Sequence, residues 1–300
     1  MWIIMLSYFD PKKAMLMALT LLVMAVVLMS IVPAEAGVHV VPKVTEKNLL
    51  FCASEDMAKD VSYLLEKGVD PNATGDFGYN ALILAAQRGN DKVIEVLVKA
   101  ERIEIDKQDA SGYTAVMYAA MSGHTESVRI LAENDADLTI GENHYGSTAL
   151  GLSVQLNHLS TAKLLLEKGA DINYKDNQGW TALKTAAYYG YDDAVKYLIA
   201  EGADVNLSSN EGETPLMGAA WHGHINIMIM LIRVGADINA RSQPFGRTAL
   251  IHAVIANNVL AADILLTYGA DANCQEDNGN IAGDYIWSDK MEELFTRKQM

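Results

Sequence analysis

Apolar and polar positions along most of this chain fall into two short helical stretches followed by a polar turn, and the pattern returns every 33 or 34 residues. The stretch around Thr181 shows the unit. Thr181-Ala-Leu-Lys-Thr-Ala-Ala predicts a helix opened by a hydroxyl N-cap. Gly190 breaks it, and Asp193 to Ala200 predicts a second, amphipathic helix that ends at Gly202. Asp176-Asn-Gln-Gly is turn chemistry and suits a projecting hairpin between units. Helices of about eight to ten residues cannot bury an apolar face alone, so neighbouring units must stack to make a continuous core. Ala-Ala pairs at 85–86, 119–120, 186–187 and 219–220 fit that stacking, because small side chains let adjacent inner helices approach closely.

The period is set by Gly78, Gly112, Gly146, Gly179, Gly212, Gly246 and Gly279. Five of them open a common string: Gly112-Tyr-Thr-Ala-Val, Gly146-Ser-Thr-Ala-Leu, Gly179-Trp-Thr-Ala-Leu, Gly212-Glu-Thr-Pro-Leu and Gly246-Arg-Thr-Ala-Leu. Gly-Ala-Asp-x-Asn phrases follow at Gly169–Asn173, Gly202–Asn206, Gly235–Asn239 and Gly269–Asn273. From about Asn48 to Asp284 the chain resembles the ankyrin repeat. The resemblance implies an all-α solenoid of stacked helix-turn-helix units with projecting β-hairpin loops. It divides the chain into a segment 1–36, a linker 37–46, about seven repeats over 47–274 with a degenerate first unit, and a capping repeat 275–300.

The ends depart from the period. Lys12-Lys13, an apolar run from Ala14 to Val32 and Ala34-Glu35-Ala36 form an export signal, with cleavage expected before Gly37. The alternative is an uncleaved membrane anchor, since about 17–25 apolar residues span a bilayer. In the first unit Glu55-Asp56 replaces the usual Gly-His turn. In the second, Lys99-Ala-Glu-Arg-Ile-Glu-Ile-Asp replaces the Gly-Ala-Asp phrase, which predicts a less tightly closed loop. The last unit loses the Thr-Ala-Leu string, as a terminal unit facing water should. Cys52 and Cys274 stand nearly seven units apart, on the order of 60 Å at about 9 Å per stacked unit. A disulfide needs Cα atoms within about 7 Å, so no bridge joins them. Cys52 takes the place of a repeat alanine and is expected to be buried, whereas Cys274 is expected to be a surface thiol.

No phosphate loop, Cys-x-x-Cys, His-Glu-x-x-His or Gly-x-Ser-x-Gly appears. His124, His158 and His224 share one repeat position, which the resemblance makes structural; His222 is not covered by that account. The reading is therefore of a protein that is not an enzyme, with no cofactor and no metal site. Leaving aside Lys12, Lys13, Asp10 and Glu35, 21 Lys/Arg stand against 36 Asp/Glu, and that balance argues against nucleic acid.

The resemblance also places a concave groove. Five positions per unit line it: the two flanking the signature glycine, the one three after the threonine, and the two after the Ala-Ala pair. Over six units this set holds Phe77, Tyr79, Tyr113, Tyr145, Trp180, Tyr188, Tyr189, Trp221 and Phe245, nearly half the aromatics beyond the signal. Met117, Met121, Met217 and His222 fall on it too. Aromatics and methionine are the types enriched at interface cores. Its formal charge is small: Arg88, Lys184 and Arg247 against Glu211 and Glu213. The expected function is a non-enzymatic module, exported to the periplasm or secreted, that binds a folded protein through this groove as a monomer. Similar exported proteins include helpers of antioxidant enzymes and immunity proteins that neutralise delivered toxins; an inner-membrane-anchored assembly factor is the alternative.

Overall fold

A computed structural model describes residues 43–299, so the export segment and most of the linker lie outside the described residues. The linker ends sooner than expected, because the Thr45 hydroxyl accepts from Asn48 N–H and caps a helix that begins at Glu46.

Among the described residues seven helix pairs follow one another. They are α1 (Glu46–Ser54) with α2 (Ala58–Glu66), α3 (Ala81–Arg88) with α4 (Asp91–Leu97), and α5 (Ala115–Ser122) with α6 (Thr125–Glu133). Then come α7 (Ala149–Gln155) with α8 (Leu159–Glu167), and α9 (Ala182–Tyr189) with α10 (Asp192–Ala200). The last two are α11 (Pro215–His222) with α12 (Ile225–Arg233), and α13 (Ala249–Ile255) with α14 (Val259–Thr267). The first helix of each pair packs on the first helices of its neighbours, and second helices pack on second helices. A 3₁₀ turn, Ala282–Tyr285, and α15 (Asp289–Gln299) close the stack. Met291, Leu294 and Phe295 of α15 are buried.

The expected devices produce this repeat. Thr148, Thr181, Thr214 and Thr248 cap their helices by accepting from the N–H three residues on. Gly89, Gly123, Gly190 and Gly223 end the inner helices in the left-handed conformation. Those glycines have a second job. A Cβ on Gly89, Gly123 or Gly190 would come within 3 Å of the ring of His124, His158 or His224 in the next unit. His158 and His224 donate through Nε2 to the carbonyls of Met121 and Tyr188, so these histidines cap the preceding helix across the unit boundary. Asn90 and Asn258 do the same with side-chain amides, and Tyr191 with its hydroxyl. Where a turn lacks glycine, Asp56, Arg102, Asn157 and Asn257 take the left-handed conformation instead.

The core is one continuous row of small and aliphatic side chains, with all eight paired alanines fully buried. Cys52 is buried at the alanine position, and burial pushes its thiol up to about 11. Cys274 is half-buried, and both cysteines are free. The loops between pairs turn back without paired strands. Among the described residues only one β-bridge forms, Thr74 with Asn80. The other loops close with one backbone bond across the base and a second inside the turn, such as Asp109 N–H to Tyr113 O (3.0 Å) with Gly112 N–H to Asp109 O (3.1 Å), and Asp176 N–H to Trp180 O (3.0 Å) with Gly179 N–H to Asp176 O (2.8 Å).

Candidate partner-binding groove

The loop tips are joined to one another by a backbone stitch. Ala110 N–H donates to Phe77 O (2.9 Å), Asn143 to Ser111 O (3.0 Å), Asn177 to Tyr145 O (2.7 Å), Asn210 to Gln178 O (2.9 Å) and Asp277 to Phe245 O (2.9 Å). The residue before each signature glycine from Gly78 to Gly246 therefore has its carbonyl fixed by the next unit. Inside the loops, carboxylates hold the backbone. Asp176 Oδ1 accepts from Gln178 and Trp180 N–H, and Glu142 accepts from His144, Tyr145 and Ser147. The row that carries Phe77, Tyr145 and Phe245 is consequently rigid at the main chain and open at the side chain. Their exposures are 75, 47 and 56 %.

The second row, following the glycine, is half-buried. Tyr79 and Tyr113 lean on Tyr118, with ring centroids 5.7 and 5.5 Å away. The Tyr118 hydroxyl donates to Asp109 Oδ2 at 2.7 Å, and the Tyr79 hydroxyl lies 3.1 Å from it. Burial pushes Tyr113 up to about 12 and, with the Tyr79 hydrogen bond, raises Tyr118 further. Trp180 continues the row. Its ring lies 5.1 Å from Tyr188, which meets Tyr189 at 5.2 Å and His222 at 4.4 Å. Trp180, Tyr188, Tyr189 and His222 thus form one half-buried cluster. Trp221, 37 % exposed, is paired edge-on with His252 (5.6 Å). Met121 is half-buried beside the core.

One set of positions was misplaced. Met117 is 1 % exposed, Met217 1 % and Lys184 0 %, so the residue three after the threonine does not line the groove. Helical side chains lean toward the N-terminus of their helix, which carries this residue beneath the preceding loop. Lys184 shows it: Nζ sits 4.1 Å from the Trp180 ring centroid and 2.9 Å from Glu213 Oε2. Burial lowers the Lys184 ammonium pKa against the pull of Glu213. Burial acts to raise Glu213, but the ammonium carries it below the usual carboxylate range.

Sequence reasoning missed the polar layer under the aromatics, because its members sit one in each unit and make no local motif. Besides Lys184–Glu213 it contains Arg247–Glu276 at 2.7 Å, with Tyr285 donating to Glu276, and His252, whose pKa burial lowers. The Lys184–Glu213 and Arg247–Glu276 pairs join neighbouring units of the stack. Among the described residues no group of three or more His, Cys, Asp or Glu is arranged to hold a metal ion, and no helix is long and apolar enough to cross a membrane.

The geometry agrees with the comparisons to known proteins. No relative is found among curated proteins. The ankyrin repeat domain of Bcl-3, described as a unique member of the IkappaB protein family, superposes with a TM-score of 0.64 at 26 % identity, over 68 % of this chain and 92 % of that one. The human ASB11 ankyrin repeat domain superposes with a TM-score of 0.65 at 23 % identity, over 74 % of this chain and 98 % of its own, and supports the fold alone. Ankyrin repeats generally mediate protein–protein interaction, and the fold is typically a non-enzymatic module. The family model for ankyrin repeats matches in overlapping sets of three from residue 49 to residue 276, and this chain belongs to the ankyrin repeat family.

Proposed function

We propose that this protein is an exported, non-enzymatic binding module that captures a folded protein partner in its concave groove. One observation carries the reading: exposed aromatics stand on a backbone held by the unit-to-unit stitch. Phe77, Tyr145 and Phe245 have little backbone freedom left to lose on binding, because their carbonyls are already fixed. Trp221 adds a fourth exposed ring, and the half-buried cluster around Tyr188 forms the floor between them. A specific interface needs about 800 Å² per partner, which four or five adjacent units supply.

Export to a periplasm or the exterior is supported by Lys12-Lys13, the run to Val32 and Ala34-Glu35-Ala36. In that compartment the role is support of another protein or neutralisation of a delivered toxin. The run Ala14–Val32 also favours a second reading, a membrane-tethered assembly factor. The mass of the protein recovered from its native cell separates the two, since a cleaved chain begins at Gly37.

Capture tests the groove. Wild-type protein incubated with its native envelope extract should retain a defined protein, identified by mass spectrometry. Trp221→Ala and Phe245→Ala should each lose it by at least ~2 kcal/mol, more than tenfold in affinity. Glu167→Lys, on an outer helix, should keep it. Equal retention by all variants would place the binding face elsewhere.

A further inference from the structure

Each cation at the positions assigned to the groove is paired with a carboxylate of the protein itself. Of the three basic residues among the thirty positions that the repeat assigns to it, Lys184 lies buried against Trp180 and pairs with Glu213 (2.9 Å), while Arg88 pairs with Glu55 (3.2 Å) and Arg247 with Glu276 (2.7 Å). The side chains of Arg88 and Arg247, 35 and 30 % exposed, are thus each balanced by a carboxylate, and the charge left unbalanced at these positions is negative. Glu211, at the tip of the Ser209–Glu213 loop, is exposed and has no ion pair among the described residues. Glu213 keeps 30 % of its side chain exposed, and only Oε2 is taken, by Lys184; Oε1 has no hydrogen bond among the described residues.

These two glutamates interrupt the aromatic rows. Glu213 follows Trp180 by one unit in the row after the glycine, and Glu211 precedes Phe245 by one unit in the row before it. Below them, His252 is 7 % exposed, its Nε2 is buried without a hydrogen-bond partner, and its ring meets Trp221 edge-on. It lies near enough for the Glu213 charge to act on it. Glu213 is joined to Trp180 through Lys184, His252 carries Trp221, and Glu211 stands at the loop tip one unit before Phe245. A guanidinium or ammonium matches that arrangement, since it supplies several donors and a positive charge on a stem that packs along aromatic surface. The wider field agrees in sign, with a formal net charge of −15 on the chain.

We propose that the partner places an arginine or lysine side chain between Glu211 and Glu213, with apolar residues of the same segment on Trp180, Trp221 and Phe245. This rests on the groove being the binding face, and it specifies the chemistry of what binds there. An acidic or purely apolar segment leaves both glutamates facing like charge or desolvated without a counter-charge.

A displayed library of randomised peptides, selected on the full chain at physiological salt, tests it. Selected peptides should share a basic residue among apolar ones. Changing that residue to Gln should weaken binding about tenfold or more. Two variants locate the effect: Glu211→Gln, and the double variant Lys184→Met with Glu213→Gln, which removes the buried pair together and so leaves no orphaned charge. Against each, the penalty for losing the basic residue should shrink, and against all three changes combined it should vanish. Peptides that depend on Trp221 but carry no basic residue overturn this inference and leave the groove standing. So do basic peptides whose penalty is the same on every variant, since they answer only to net charge. Peptides indifferent to Trp221→Ala overturn the groove reading itself, and this inference with it.

Discussion

The carbonyl of Tyr145 accepts the Asn177 N–H at 2.7 Å, while the Tyr145 ring stays 47 % exposed. The same bond repeats one unit on, from Asn210 N–H to Gln178 O at 2.9 Å, and there the signature glycine makes it possible. Gly179 has φ +77, and a Cβ on it would lie 2.6 Å from the Asn210 backbone nitrogen. Gly169 has φ +92 with nothing within 4 Å of its would-be Cβ. Alanine at Gly169 should then cost only the left-handed strain, about 1–2 kcal/mol. Alanine at Gly179 should cost measurably more, because the loop must also part from its neighbour. Urea midpoints of the two variants check the order; equal losses would mean that the tips are not held against each other.

Overpacking tests the inner row. Ala186 is fully buried on α9, at the contact with the inner helices on either side. Ala186→Leu should cost roughly 1–3 kcal/mol, because a close-packed contact between helices has no room for three added carbons. An unchanged urea midpoint would take Ala186 out of that contact.

Lys184 is fully buried and depends on Glu213 for its counter-charge. Glu213→Gln should destabilise the stack toward the ~3–5 kcal/mol seen when one partner of a buried pair is removed, reduced because Glu213 itself is 30 % exposed. Lys184→Met combined with Glu213→Gln should recover most of that loss. Denaturant unfolding of the two single variants and the double gives the coupling directly. If the double variant is as unstable as Glu213→Gln alone, the pair is not what holds this part of the stack.

Much of this architecture is written in single residue types. The threonine caps, the glycine ends and the Ala-Ala contacts act within one or two turns of chain, so Thr181, Gly190 and Ala186 could each be read where they stand. His158 and His224 were legible by position, although their bonds to Met121 and Tyr188 run between units. The groove was read less well, because the direction of a side chain depends on what lies above it. Met117 and Lys184 sit on a correct helix at a correct register, yet the loop carrying Tyr113 or Trp180 roofs them over. The Glu213–Lys184–His252 layer has no local signal at all. Its members are joined only when three units stack, and no spacing within one unit separates Lys184 from an exposed groove lysine.

That layer also sets a pH response. Burial lowers the His252 pKa from its ordinary 6.5, although Glu213 acts against the shift and Arg247 and Lys184 act with it. The unfolded chain therefore takes up the proton first as pH falls. A basic group held neutral in the folded state favours folding above its unfolded pKa and loses that advantage as pH falls through it. Glu213 and Glu276 have folded pKa values lowered below 4.5, so their contribution is present above that value and is lost only at more acid pH. The two windows are separate. Between about pH 7 and pH 5.5 the melting temperature should fall mainly through His252. His252→Gln should flatten that limb while leaving the steeper loss below about pH 4.5 in place. Thermal unfolding across pH 4 to 8 for wild type and His252→Gln makes the comparison. A limb between pH 7 and 5.5 that is equally steep in the variant would show that His252 is not held neutral beneath Trp221.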